Sequence, residues 1–248
     1  VHESQRRIRL KANPHFWGPA PLTSTVELIV VADENTGIHL FERGELDIAG
    51  KAPASEIDRL ERTGKAIIYR DPFLATYYLA FKVKNPEVSD PVFRRALAST
   101  VLKDQIVLAL GTRETEAKTW VPPLLLSDAM PQSVRLGQPS KQWAGRILEV
   151  MTDSSSRNSL ILEKIQSDWQ NALGVKLKIY PRDWKTHVRE LGVQRASLYR
   201  FGWLSPLFDP LPHLKVFTST SPNNYTGWKN ERYDALVSSI EANEPGPK

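Results

Sequence analysis

Apolar residues recur along this chain with two periods. Val26-Glu27-Leu28-Ile29-Val30-Val31 is rich in branched residues and predicts a buried strand over 26–31. Ile8-Arg9-Leu10-Lys11 alternates apolar with charged positions and predicts another, closed by a turn at Asn13-Pro14. Alternating or β-branched runs at 76–83, 147–151, 175–180 and 196–203 predict four more strands, and shorter ones are expected at 46–49 and 66–69. The helical period appears at 35–43, closed by Gly44, and at 53–62, with Pro53 near the start, Ser55 as N-cap and Gly64 after the end. Val92, Ala96, Leu97, Val101, Ile106 and Leu110 predict one long helix over 91–110, with Gly111 closing it. Leu160, Ile161, Ile165, Trp169 and Leu173 share one side of a helix over 156–173 that Gly174 stops. Shorter helices are expected at 183–191 and 233–242, an irregular Pro-rich stretch at 119–138, and a loop at 204–212. Helices and strands intermix, with a helix–Gly–strand unit at 156–180, so the expected class is α/β. A domain boundary is expected near 81–90, where a strand gives way to Asn85-Pro86 and Asp90-Pro91.

Composition narrows the function classes. The 248 residues suit one large domain or two small ones. Lys+Arg minus Asp+Glu is 33 − 28 = +5, a mild excess with the charges mixed along the chain. The seven tryptophans are not interleaved with basic clusters, so nucleic-acid binding is not expected. Cys is absent, which removes disulfides, thiolate metal sites and cysteine nucleophiles while leaving the compartment open. The longest apolar runs, 28–32 and 106–110, are far short of the ~20 residues that cross a bilayer. Val1 opens straight into a strand-like segment, so the numbering is expected to start after processing or within something longer.

Tests for catalytic motifs come back empty. The five histidines, His2, His15, His39, His187 and His213, form no HxH or HExxH spacing and read as structural or surface residues. There is no GxSxG elbow and no phosphate-cradling glycine loop. Carboxylates such as Asp183 and Glu190 read as a solvated helix face. What remains is an aromatic segment with few charges: Trp184, Tyr199, Arg200, Phe201 and Trp203. Large aromatics beside one guanidinium suit an organic ligand carrying a carboxylate; core packing with one surface ion pair explains the same residues equally well.

The order of several motifs brings in a resemblance. Arg9-Leu10-Lys11-Ala12-Asn13-Pro14-His15-Phe16-Trp17-Gly18, Phe41-Glu42-Arg43-Gly44-Glu45-Leu46-Asp47, the strand at 76–83 followed by Asp90-Pro91-Val92-Phe93-Arg94-Arg95-Ala96-Leu97, and 169–177 followed by Trp184 come in succession. Phe201-Gly202-Trp203, Asp209-Pro210, the stretch 223–228 and Tyr233-Asp234-Ala235-Leu236 complete the run. Together they resemble the solute-binding proteins of the peptide/nickel class of ABC importers, of the oligopeptide- and dipeptide-binding type. The likeness covers nearly the whole chain; its specificity lies in the succession, not in any single motif.

That resemblance implies an α/β fold of the periplasmic-binding-protein type II kind, two lobes closing on a ligand with a hinge near 81–85. Here one lobe plus part of the other is expected: 1–83 as part of the first lobe, 84–228 as the second, and 229–248 as a C-terminal helix and tail returning toward the first. The class consists of longer chains, so an excised lobe, a proteolytic product or a truncated form is expected, with 131–148 shorter than usual. The implied ligand-binding residues are Trp184, Arg200, Trp203, Asp209 and Asn224, the tryptophans lining pockets and Arg200 meeting a peptide carboxylate. Pro206 stands where peptide binders carry an Asp for the ligand's α-amine, which puts a free peptide N-terminus in doubt. The implied partners are a peptide or other small molecule and the membrane permease of an ABC importer. A monomer that is not an enzyme is expected, without nucleic acid, cofactor or metal, periplasmic or tethered to the outer face of the cytoplasmic membrane. The alternatives are a truncated non-transport interaction protein on the same fold and a binder of a non-peptide ligand such as a nickel complex.

Overall fold

The computed structural model describes residues 2–3, 7–31, 33–50, 52–70, 73–111, 114–126, 137–193 and 196–242. They fall into two compact units, Val1–Arg70 and Asp71–Lys248.

In the first unit, β1 (His2–Glu3), β2 (Arg7–Lys11) and β3 (Thr25–Ile29) form an antiparallel sheet in that order. The register sets Ile8 opposite Leu28 and Leu10 opposite Val26, which puts these four on one face. Arg7, Arg9 and Lys11 alternate onto the other face, where Arg7 and Arg9 pair with Glu27. The run at 26–31, expected to be buried, is instead open: Val26 is 43% and Leu28 51% exposed. A run of branched residues specifies a strand, but among the described residues no layer covers its apolar face. α1 (Glu34–Glu42) is capped by Asp33, whose carboxylate accepts from the Thr36 amide at 2.8 Å. α2 (Ala54–Thr63) starts after Pro53, so Ser55 lies inside the helix rather than at its N-cap. Arg59 bonds to Glu42 of α1 and to Glu56 of its own helix. The strands expected at 46–49 and 66–69 do not form; Ile48 and Ile67 are about four-fifths exposed and meet no partner strand.

The second unit is built on a four-stranded sheet of order β4-β7-β5-β6. Its strands are β4 (Ala75–Phe81), β5 (Ile147–Asp153), β6 (Lys176–Arg182) and β7 (Leu198–Leu204). β7 runs antiparallel to β4 and parallel to β5. α5 (Ser156–Leu173) has the bounds its pattern predicts and links the parallel pair β5–β6. Its Leu162, Ile165, Trp169 and Leu173 pack with Leu148, Val150 and Leu198 of the sheet and with Phe93 and Leu97.

The long helix expected over 91–110 is two helices, α3 (Pro91–Ser99) and α4 (Lys103–Leu110). The break has a physical cause in α5. The Thr100 hydroxyl turns back to the Ala96 and Leu97 carbonyls, and the Trp169 indole donates to the Leu97 carbonyl at 2.9 Å. The buried Asp168 carboxylate accepts from the Leu102 amide at 3.0 Å, which caps α4 from another element. Three helices complete the unit: α6 (Trp184–Glu190), α7 (Leu211–Lys215) and α8 (Glu231–Ala242).

The two compact units divide ahead of β4, which pairs with β7 along its whole length. α8 packs on α7: Tyr233 donates to the Leu214 carbonyl and Lys215 pairs with Glu241. Much of the stretches 119–138 and 131–148 lies outside the described residues; 119–126 is irregular, as expected.

Candidate functional site

The pleat of β4 and β7 sorts the expected site residues. Residues directly opposite in an antiparallel pair share a face, so Thr76/Trp203, Tyr78/Phe201 and Ala80/Tyr199 form one surface. Leu79/Arg200 and Tyr77/Gly202 belong to the other. On the first surface the Tyr78 ring meets Trp120, Tyr199, Phe201 and Phe217 edge-on, at centroid distances of 4.9 to 6.3 Å. Burial pushes the Tyr78 and Tyr199 hydroxyls far above the ordinary phenol range, so both are neutral. Tyr225 adds a further edge to Tyr199 and Phe201.

α6 lays Trp184 against this surface. Asp183 caps the helix, its carboxylate accepting from the Thr186 amide at 3.0 Å. The Trp184 ring then stacks on Phe201, 5.7 Å away and 12° from parallel, while remaining 54% exposed. Trp203, two residues beyond Phe201 on the same face, is half-buried, and its indole N–H has no acceptor. Trp184, Phe201 and Trp203 therefore make a neutral aromatic shelf, open to water at Trp184. Flat apolar or amide groups are the ones that can stack on rings so arranged.

Arg200 does not join the tryptophans. Its guanidinium lies on the opposite face, 4.6 Å over the Tyr77 ring, and donates to Asp153 at 2.7 Å. Each side chain of that pair is 17% exposed. The guanidinium, expected to meet a ligand carboxylate, is held here by an internal ion pair. Asp209 shapes its loop: one carboxylate oxygen accepts from the Leu211 amide at 2.6 Å. Asn224 is tied down within its own turn, its amide donating to the Phe217, Thr218 and Trp228 carbonyls while its carbonyl accepts from Thr226. Of the five expected residues, Trp184 stacks on Phe201 and Trp203 lies two positions along the same face of β7, while Arg200, Asp209 and Asn224 make hydrogen bonds within the fold.

Sequence reasoning missed Asp153, Tyr78 and His187. Asp153 stands 47 positions from its partner, so no local signal marks it. Tyr78 lay in a strand already read as aromatic-rich, and the strand pairing that brings it to Phe201 was the missing step. The His187 ring, fully buried beside the stacked Trp184 and Phe201, contacts the Arg200 carbonyl at 2.9 Å. Among the described residues, no group of three or more His, Asp or Glu is placed to hold a metal ion. A hollow of about 340 Å³ beside Leu10, Asn13, Phe16 and Val26 lies wholly in the first unit and contains none of the expected site residues.

Known proteins share this organisation. Over 244 residues the chain is 23% identical to the periplasmic murein peptide-binding protein MppA of Escherichia coli, covering 91% of this chain and 45% of that protein. It is 25% identical over 248 residues to the "Probable deoxycholate-binding periplasmic protein YgiS" of Escherichia coli, covering 93% of this chain and 46% of the relative. The chain thus spans about half the length of the curated relatives it matches. Among solved structures, Helicobacter pylori DppA in complex with the peptide STSA superposes with a TM-score of 0.84 at 18% identity, covering 100% of this chain and 51% of that one. The fold is therefore that of the periplasmic binding proteins. Residues 2–225 match the family model described as bacterial extracellular solute-binding proteins, family 5 Middle. On that match, the chain belongs to the bacterial extracellular solute-binding proteins, family 5.

Proposed function

We propose that this chain captures a small solute, a peptide in the first instance, outside the cytoplasm for the permease of an ABC importer. The observation that carries the reading is the aromatic shelf: Trp184, half in water, stacked on Phe201 beside Trp203. A large exposed indole held flat by a ring below it offers a stacking surface to a ligand. The matched relatives are named as binding proteins, and several as periplasmic, which supports the same location for this chain. Capture between two closing lobes, with the shelf as one wall, follows from the resemblance.

A second reading, an amphiphilic non-peptide ligand, is favoured by the loop after β7. Pro206 offers no carboxylate for an α-ammonium, and a buried cation without a partner is costly. Leu207 and Phe208 next to it are 61% and 75% exposed. The relative named for deoxycholate shows that the family is not confined by name to peptides.

Titration calorimetry with tri-alanine, N-acetyl-tri-alanine and deoxycholate tests both readings. A peptide ligand held without its ammonium binds equally in the free and acetylated forms, and Trp184→Ala weakens it at least tenfold. Deoxycholate binding alone selects the second reading. Binding of any probe that is unchanged in Trp184→Ala removes the shelf as the site.

A further inference from the structure

We propose that His187 is a positioning residue that seats the Trp184 platform on β7 and releases it when its imidazole gains a proton. The geometry fixes the tautomer. A carbonyl oxygen only accepts, so the contact from His187 Nε2 to the Arg200 carbonyl at 2.9 Å places the proton on Nε2. Nδ1 is then a bare lone pair; it is buried and has no partner. The ring is fully buried, with Trp184 at 5.9 Å and Phe201 at 6.3 Å. His187 is therefore the side chain that joins α6 to β7 beneath the exposed indole.

Protonation places an N–H at Nδ1, which has no hydrogen-bond partner among the described residues. The charged groups acting on the ring are Asp153 on β5, Arg200 on β7 and Glu190 on α6, with Arg182 of β6 pairing Glu190. Both nearby carboxylates are already engaged: Asp153 by Arg200 at 2.7 Å and Glu190 by Arg182 at 3.6 Å. Arg200 itself repels an imidazolium. Desolvation in this setting holds the imidazole below its ordinary range, against the Arg200 carbonyl bond, which raises it. Once charged, the ring is relieved only by reaching water, and the route is for α6 to lift from β7. That motion takes Trp184 off Phe201. The inference rests on the reading of Trp184 as the ligand platform.

The test needs no ligand. Protein carrying 15N-histidine and 5-fluorotryptophan is titrated from pH 8 to 5, with signals assigned from His187→Gln and Trp184→Phe. The expected result is an Nε2–H imidazole for His187, a midpoint below 6.5, and a Trp184 fluorine shift with the same midpoint. In His187→Gln the side-chain amide still donates to the Arg200 carbonyl, so the Trp184 signal stays at its high-pH position throughout. An Nδ1–H tautomer, a Trp184 signal that ignores His187, or one that still titrates in His187→Gln overturns the proposal. The two wild-type midpoints decide the matter even if the Gln variant does not fold. For any probe that binds at the shelf, affinity then falls by up to tenfold per pH unit below that midpoint. If the two midpoints coincide but no shelf ligand exists, the failure belongs to the binding reading and not to the switch.

Discussion

Arg200 and Asp153 show what a charged side chain among aromatics is doing. Their pair is mostly shielded from water, and Tyr77 closes one side of the guanidinium. Removing either partner strands the other. Asp153→Ala is expected to lower unfolding stability by about 2 kcal/mol, between the values for exposed and fully buried pairs. Urea denaturation of Arg200→Ala, Asp153→Ala and the double variant measures the coupling, and strict additivity would deny the pair. The sequence makes Arg200 conspicuous, but it is silent on a partner supplied by another strand, so the ion pair with Asp153 was not legible in it. The two fully buried histidines carry a separate expectation. Desolvation lowers the pKa of both His187 and His213. Their neutral forms stabilise the fold fully above the unfolded value of about 6.5, and that contribution shrinks as pH falls below it. Stability is expected to drop by up to about 1 kcal/mol per histidine between pH 6.5 and 5.5. Denaturation of wild type and His213→Gln at both pH values measures the share of His213.

Elements with strong internal periodicity were legible at the sequence level, and α5 is the clearest: its bounds, the buried Ile161, Ile165, Trp169 and Leu173 and its stop at Gly174 were readable, while Leu160, read onto that side, is exposed and Leu162 is buried. At Gly174, φ is +71° and an added Cβ would lie 2.8 Å from the Ala144 Cβ. Gly174→Ala is therefore expected to cost at least about 1–2 kcal/mol, read as a lowered thermal midpoint. The break between α3 and α4 was not legible, because nothing in 91–110 itself demands it. Its causes, Asp168 and Trp169, sit on α5. Asp168→Ala removes a charged cap and is expected to cost about 1–2 kcal/mol, with hydrogen exchange rising first in α4. Exchange that rises evenly over the unit would place the role of Asp168 elsewhere.

At the scale of the whole molecule, a hydrophobic run tells that residues need cover and not whether cover is present. The quartet Ile8, Leu10, Val26 and Leu28 is 36% to 51% exposed on one face of the first sheet, with the arginine–glutamate pairs on the other. Leu10→Lys with Leu28→Lys is expected to change stability by no more than about 0.5 kcal/mol. The same double variant should lower the fluorescence of bound anilinonaphthalene sulfonate, and an unchanged signal would place the dye elsewhere. Strand order, too, stayed hidden: 76–83 and 196–203 both read as strands, yet nothing in either said that they lie side by side.

The position of β7 has a consequence for how the molecule is made. It is the last strand of its sheet to be synthesised, yet it lies between β4 and β5, which do not touch each other in the sheet order. Until the ribosome has released residue 204, β4 has no neighbour and β5 has only β6. The nascent chain must hold a strand-wide gap open and close it in one late step, across more than a hundred residues on the β4 side, as from Ala75 to Leu204, and fewer on the β5 side, as from Val150 to Leu198. Ribosome-bound chains stalled before that point should remain protease-sensitive through β4, and become resistant together once β7 clears the exit tunnel.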